Sequence, residues 1–234
     1  MLRIILIHLA TVWLGFAEFK PHFREFLVEE FGRDVATKLE RLDQGYLYRG
    51  SFGGKSEKYQ PVFNRPIIFV HGVGSNAAFW LTHRQTFIDR GYSSAELYAT
   101  TYGLLQNNIT KTLDCKDVTA IRNFIMAVAK YTNSKVDILA YSMGVAIARK
   151  AILGGKCVDT MENLGPPFTA NVETFLSVAG MTHGVENCSF LYPACNGLNG
   201  IPCVSHFFTD VNTAMFMKYE GTNLYAISNE FDTE

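Results

Sequence analysis

The chain has 234 residues, 48% of them hydrophobic, and 21 Lys and Arg against 22 Asp and Glu leave a formal net charge of -1. That length and apolar content suffice for one large α/β domain with a buried core. The near-zero charge gives no electrostatic footprint for nucleic acid or an anionic membrane, and nothing in the sequence points to a protein partner.

Met1-Leu2-Arg3 is a basic start, Ile4 to Phe16 is an apolar run too short to span a bilayer, and Gly15-Phe16-Ala17 supplies small residues for signal peptidase. Residues 1–17 therefore read as a signal peptide cleaved after Ala17, with an uncleaved anchor as the alternative, and the expected location is secreted. Residues 18–60 form an N-terminal segment with a helical pattern around Phe23 to Leu42. Within it, Gly50-Ser51-Phe52-Gly53-Gly54-Lys55-Ser56 approaches a phosphate-binding loop, but its leading glycine is one residue too close and Pro61 curtails a following helix. A surface loop is the expected reading there.

From Pro61 onward, apolar runs alternate with helical patterns, which predicts a mostly parallel sheet with helices on both faces. Strands are expected near Ile67, Ala95, Val136, Phe175 and Asn223, with helices over Val118 to Tyr131 and Met143 to Leu153. The first strand, Pro66 to Val70, is a continuous apolar run, as suits a strand buried on both faces, and it ends in His71-Gly72-Val73-Gly74. The chemistry concentrates at Ala140-Tyr141-Ser142-Met143-Gly144, between the apolar run from Val136 and the helical run from Val145. A serine on a sharp strand-to-helix turn is held clear of its neighbours, and small residues two before and two after it let strand and helix approach. Such a serine performs acyl transfer, with the backbone N–H groups of Val73 and Met143 expected to form the oxyanion hole. His71 lies upstream of the serine, so ordering the loop is its expected role.

Cys115, Cys157, Cys188, Cys195 and Cys203 all follow the proposed cleavage site, and an oxidising compartment favours pairing them, with one of five left over. Zinc is a poor alternative, since no C-x2-C pair or histidine set accompanies them. Three of the five crowd a Gly-, Pro- and Asn-rich loop from about Gly184 to Pro202, expected to border the cleft. Asn108-Ile109-Thr110 and Asn187-Cys188-Ser189 are glycosylation sequons.

The stretches IIFVHGVGSN, GYSSAELYATTYG, DCKDVTAIRNFIMAVAKYTNSKVDILAYSMGVAIARKAI and FLSVAGMTHG resemble the class 2 lipases, secreted triacylglycerol lipases and esterases, most closely their nematode branch. The resemblance runs from about Phe31 onward, and it implies an α/β-hydrolase fold, a domain over 61–234, lipid ester substrates with transient contact at the lipid interface, and no metal or organic cofactor. It carries the nucleophile to Ser142 and the acid to Asp232, after the strand at Asn223, with Glu230 as the fallback. The family's catalytic histidine follows one further strand, whereas none of His8, His22, His71, His83, His183 and His206 follows Asp232. The expectation is a chain that stops before the family's final strand and helix. The alternatives are a relocated base, or an inactive lipase-like protein that binds lipid without hydrolysing it.

Overall fold

The computed structural model describes residues 19–44, 50–103, 110–213 and 218–228. The proposed signal peptide and Asn108 of the first sequon lie outside them. Six strands form one sheet in the order β1-β3-β2-β4-β5-β6: β1 Ser51–Phe52, β2 Ile67–Val70, β3 Leu97–Thr100, β4 Val136–Tyr141, β5 Val172–Val178 and β6 Asn223–Ile227. All neighbouring pairs run parallel except β1 with β3.

Every residue of β2 is buried, as its unbroken apolar run requires. β4 instead alternates. Its Val136, Ile138 and Ala140 enter the main core, while Leu139 and Tyr141 pack on the other face against a smaller cluster of Phe69, Ala77, Trp80 and their neighbours. The main core lies beneath the helices α1 Pro21–Phe31, α2 Arg33–Glu40, α4 Cys115–Thr132, α5 Met143–Leu153 and α6 His206–Thr213, and α3 Leu81–Ile88 follows the Trp80 cluster. No helix among the described residues is long and apolar enough to cross a membrane.

The single helical pattern expected over Phe23 to Leu42 is two helices. Gly32, at φ 85°, ends α1 and caps α2, because its backbone leaves the helical region. The glycine-rich Gly50 to Ser56 stretch packs at the sheet edge: β1 lies in it, and a Cβ on Gly53 would stand 2.5 Å from the Tyr98 ring. Close packing accounts for these glycines. Phe19, Phe23 and Leu27 of the N-terminal segment share the main core with Phe124 and Tyr98.

α5 has the expected bounds and is buried almost all round, as suits a helix enclosed between sheet and other helices. Its two buried cations are satisfied. Arg149 meets Glu220 at 3.0 Å, Asn212 Oδ1 at 2.9 Å and the Thr182 carbonyl at 2.7 Å, and Lys150 meets Asp210 at 2.6 Å and the Gly154 carbonyl at 2.8 Å. Disulfides join Cys115 to Cys157 and Cys188 to Cys195, leaving Cys203 free.

Candidate active site

Ser142 stands between the last residue of β4 and the first of α5 with φ 52° and ψ −127°, a strained conformation for a residue with a side chain. Its surroundings over-determine it. The Ser142 N–H donates to the Val178 carbonyl at 3.0 Å, and the Ser142 carbonyl accepts from the N–H groups of Val145 at 3.0 Å and Met181 at 3.2 Å. Close approach explains the small residues. A Cβ on Gly144 would lie 2.3 Å from the His71 carbonyl oxygen and 2.9 Å from that of Val70, and a Cβ on Gly72 would lie 3.1 Å from Ser142 Cβ. The start of α5 thus rests directly on the turn after β2, and Ala140, fully buried, sits between Val70 and Ser177 in the sheet.

That turn is locked by a reciprocal contact with the end of β3. The His71 Nδ1–H donates to the Gly72 carbonyl at 2.7 Å, which leaves Nε2 to accept the Tyr102 N–H at 3.2 Å. The Tyr102 hydroxyl donates to the His71 carbonyl at 2.9 Å, and the two rings stack at 4.3 Å. Arg41 brackets Tyr102 by donating to the carbonyls of Thr101 and Gly103, both at 2.8 Å. Lys111 and Asp117 form a buried ion pair packed against Gly103. Burial pulls the His71 imidazole down to about 4, with the Arg41 charge acting in the same direction and the Gly72 bond opposing it. Both ring nitrogens are engaged and the ring is neutral near pH 7, so His71 orders the turn. Burial also pushes the Tyr102 hydroxyl far up, and it stays a hydrogen-bond donor.

Val73 is the second residue after His71, and Met143 is the first of α5, where a backbone N–H has no partner within the helix. Asp232 and Glu230 lie outside the described residues. The strand before them, β6, pairs with β5 up to Val178–Ile227, and the Ala179 N–H donates to the Ile227 carbonyl at 2.8 Å. The remaining described histidines stand elsewhere. His22 bonds the Tyr131 hydroxyl at 2.7 Å, His83 is exposed on α3 beside Phe79 and Trp80, and His183 is exposed past the end of β5. His206, expected in a loop, is the exposed first residue of α6. Among the described residues, no hydrogen bond links a histidine to the Ser142 hydroxyl.

Among the described residues, the one grouping of potential metal ligands is Cys115, Cys157 and Asp159, and its two sulfurs are spent in a disulfide. Phe79 stacks on Tyr141, the residue before Ser142, at 5.1 Å. Tyr102 as a brace for this turn was not foreseen from sequence, since an aromatic residue after a buried strand reads as core.

A parallel sheet, a serine at a strained strand-to-helix turn and a glycine-bearing turn after the neighbouring strand define an α/β-hydrolase fold. The model of the class 2 lipase family matches residues 64–233, and the chain belongs to that family. The family is one of lipases. No curated protein matches the chain. Among solved structures, it is similar to Aspergillus fumigatus lipase B at 17% identity and TM-score 0.48, with 68% of this chain and 36% of that one covered. It is also similar to the mature Bacillus licheniformis lipase BlEst2, at 13% identity and TM-score 0.47 over 75% and 70% of the two chains. A third is Thermogutta terrifontis esterase 2, at 16% identity and TM-score 0.44 over 76% and 75%. The chain spans about a third of the length of the Aspergillus lipase.

Proposed function

We propose that this protein is a secreted serine lipase or carboxylesterase that cleaves lipid esters through an acyl-enzyme. The observation that carries the proposal is the strained Ser142 backbone, fixed by three main-chain hydrogen bonds and pressed through Gly144 against the turn after β2. Strain of this kind persists where the surrounding structure holds a side chain in place for a task. Ser142 Oγ attacks the ester carbonyl, and the Val73 and Met143 N–H groups stabilise the tetrahedral oxyanion. By the family resemblance Asp232 would orient a catalytic histidine, none of His22, His71, His83, His183 and His206, whose imidazole takes the serine proton and returns it to the leaving alcohol. The strained Ser142 turn and its contact with the turn after β2 support the nucleophile and oxyanion assignments. Two disulfides and the apolar N-terminal run over 1–17 support secretion with cleavage after Ala17.

The test is hydrolysis of p-nitrophenyl butyrate and tributyrin by the full-length protein and its Ser142→Ala variant. The variant should fold as the parent does and lose kcat/KM by at least about a thousandfold. Turnover within a few-fold of the parent would remove Ser142 from the reaction.

A further inference from the structure

Arg41 closes α2 in the left-handed region, at φ 56° and ψ 44°, with its N–H on the Thr37 carbonyl at 3.1 Å. Glycine or asparagine is the usual residue at such a helix end, because a longer side chain gains nothing from the conformation. An arginine there points to a use for its side chain, which is only 12% exposed. Nε and Nη2 hold the two oxygens of Asp43 at 2.8 and 2.9 Å, and this fork aims Nη1 at the carbonyls of Thr101 and Gly103. The Arg41 hydrogen bonds keep the Asp43 carboxyl down at about 2, so the fork stays anchored at any working pH.

Residues 101–103 in their turn hold both ends of the turn after β2. Tyr102 is bonded twice to His71 at its start, and the Thr101 hydroxyl accepts the Ala77 N–H at 2.9 Å where the next short helix, Ala77–Trp80, begins. Val73 lies between these two fixed points. β3 ends at Thr100, so past it the sheet ladder no longer fixes the chain, and the guanidinium takes over that task. Among the described residues, Arg41 is the charge that acts on the His71 ring, and Asp117, paired with Lys111, is the one that acts on Tyr102. A cation beside His71 disfavours a proton on the ring and so keeps Nε2 an acceptor for the Tyr102 N–H.

We infer that Arg41 is a positioning residue for ester hydrolysis: its guanidinium holds residues 101–103, and through them both ends of the turn that carries the Val73 N–H, in the register with Ser142 that oxyanion stabilisation requires. The inference rests on the hydrolase reading of Ser142. It gives a part in the reaction to the N-terminal segment, which lies outside residues 64–233, those matched to the family. Oxyanion donors act only when preorganised within a few tenths of an ångström, so a brace on the turn bears on rate rather than on substrate affinity. A lysine cannot take the place of Arg41, since a compact ammonium lacks the planar fork that binds Asp43 and two carbonyls together.

The experiment is p-nitrophenyl butyrate hydrolysis by the full-length parent, Arg41→Ala, Arg41→Lys and Phe26→Ala, with thermal unfolding of each. Arg41→Ala loses two charge-assisted hydrogen bonds and should lower kcat about tenfold to a hundredfold with KM within about twofold. Added methylguanidinium should restore part of that kcat and leave the parent unchanged. Arg41→Lys should recover stability but little of the kcat. Phe26→Ala takes an α1 ring off Tyr131 elsewhere in the segment, and should lower Tm while the folded protein keeps the parent kcat. NMR titration of the His71 ring reads the lock without turnover, and its midpoint should rise in Arg41→Ala. A folded Arg41→Ala or Arg41→Lys with the parent kcat overturns the inference. So does a kcat that falls only in step with the folded fraction and does not respond to methylguanidinium. A parent that hydrolyses no ester counts against the hydrolase reading instead, and the His71 midpoint then decides alone: a rise in Arg41→Ala supports the hold of Arg41 on the turn, and an unmoved midpoint overturns it.

Discussion

Gly144→Ala places one methyl group at the closest contact of the site. In an ordinary helix that change stabilises by roughly 1 kcal/mol, because alanine is the better helix former. Here the new Cβ would stand 2.3 Å from the His71 carbonyl oxygen and 2.9 Å from that of Val70, and both neighbours are backbone. A carbon–oxygen contact settles at about 3.3 Å, so the start of α5 must retreat by roughly 1 Å. Overpacking of this kind costs about 1–3 kcal/mol and outweighs the propensity gain. The expected net loss lowers Tm by about 2–4 °C per kcal/mol for a domain of this size. The same retreat carries Ser142 and the Met143 N–H away from the turn after β2, and a misplacement of about 1 Å costs on the order of a hundredfold in kcat. Thermal unfolding and p-nitrophenyl butyrate hydrolysis measure the two effects separately. A variant at least as stable as the parent, with unchanged kcat, would refute the close packing of α5 on that turn.

Tyr102→Phe removes the hydroxyl bond to the His71 carbonyl while keeping the ring stack, and should lower kcat about fivefold with KM nearly unchanged, since one hydrogen bond is worth about 1 kcal/mol; a kcat equal to the parent's would count against a positioning role. His71 is held at about 4 in the folded protein against an ordinary 6.5, so between these values the unfolded chain binds a proton that the folded one refuses. Stability should therefore fall as pH drops below about 6.5, by a total near 3 kcal/mol at pH about 4, and urea unfolding across this range should show that part of the slope vanish in His71→Gln. Replacing Cys115 and Cys157 by serine opens a link between residues 42 apart and should cost up to about 4 kcal/mol, measured by urea unfolding without reductant; an unchanged midpoint would show that the bridge does not form.

The sequence made the core of the fold legible wherever local pattern and burial agree. The apolar run before His71 became β2, and α5 runs from Met143 to Leu153 as expected, because the elbow glycine and the serine mark its start. α4 begins at Cys115, a turn earlier than the apolar pattern indicated, since its first turn buries Cys115 and Asp117, which that pattern does not count. The antiparallel β1 was not legible, for a strand of two residues carries no period. Nor was the His71–Tyr102 lock, which joins residues just past the ends of adjacent parallel strands whose pairing the sequence does not state. The cysteine pairing needed the fold, because five cysteines are compatible with many connectivities. The sharp turn at Ser142 was readable because its demands fall on adjacent residues, whereas Asp232 was placed by family resemblance alone.

Whether Ser142 is an activated nucleophile is read by a fluorophosphonate probe, because the reagent bonds only to such a serine. After labelling of the full-length protein and peptide mass spectrometry, one adduct is expected, on Ser142, blocked by prior heat unfolding and absent from Ser142→Ala. An adduct on another serine, or none at all on folded protein that still hydrolyses esters, would contradict it.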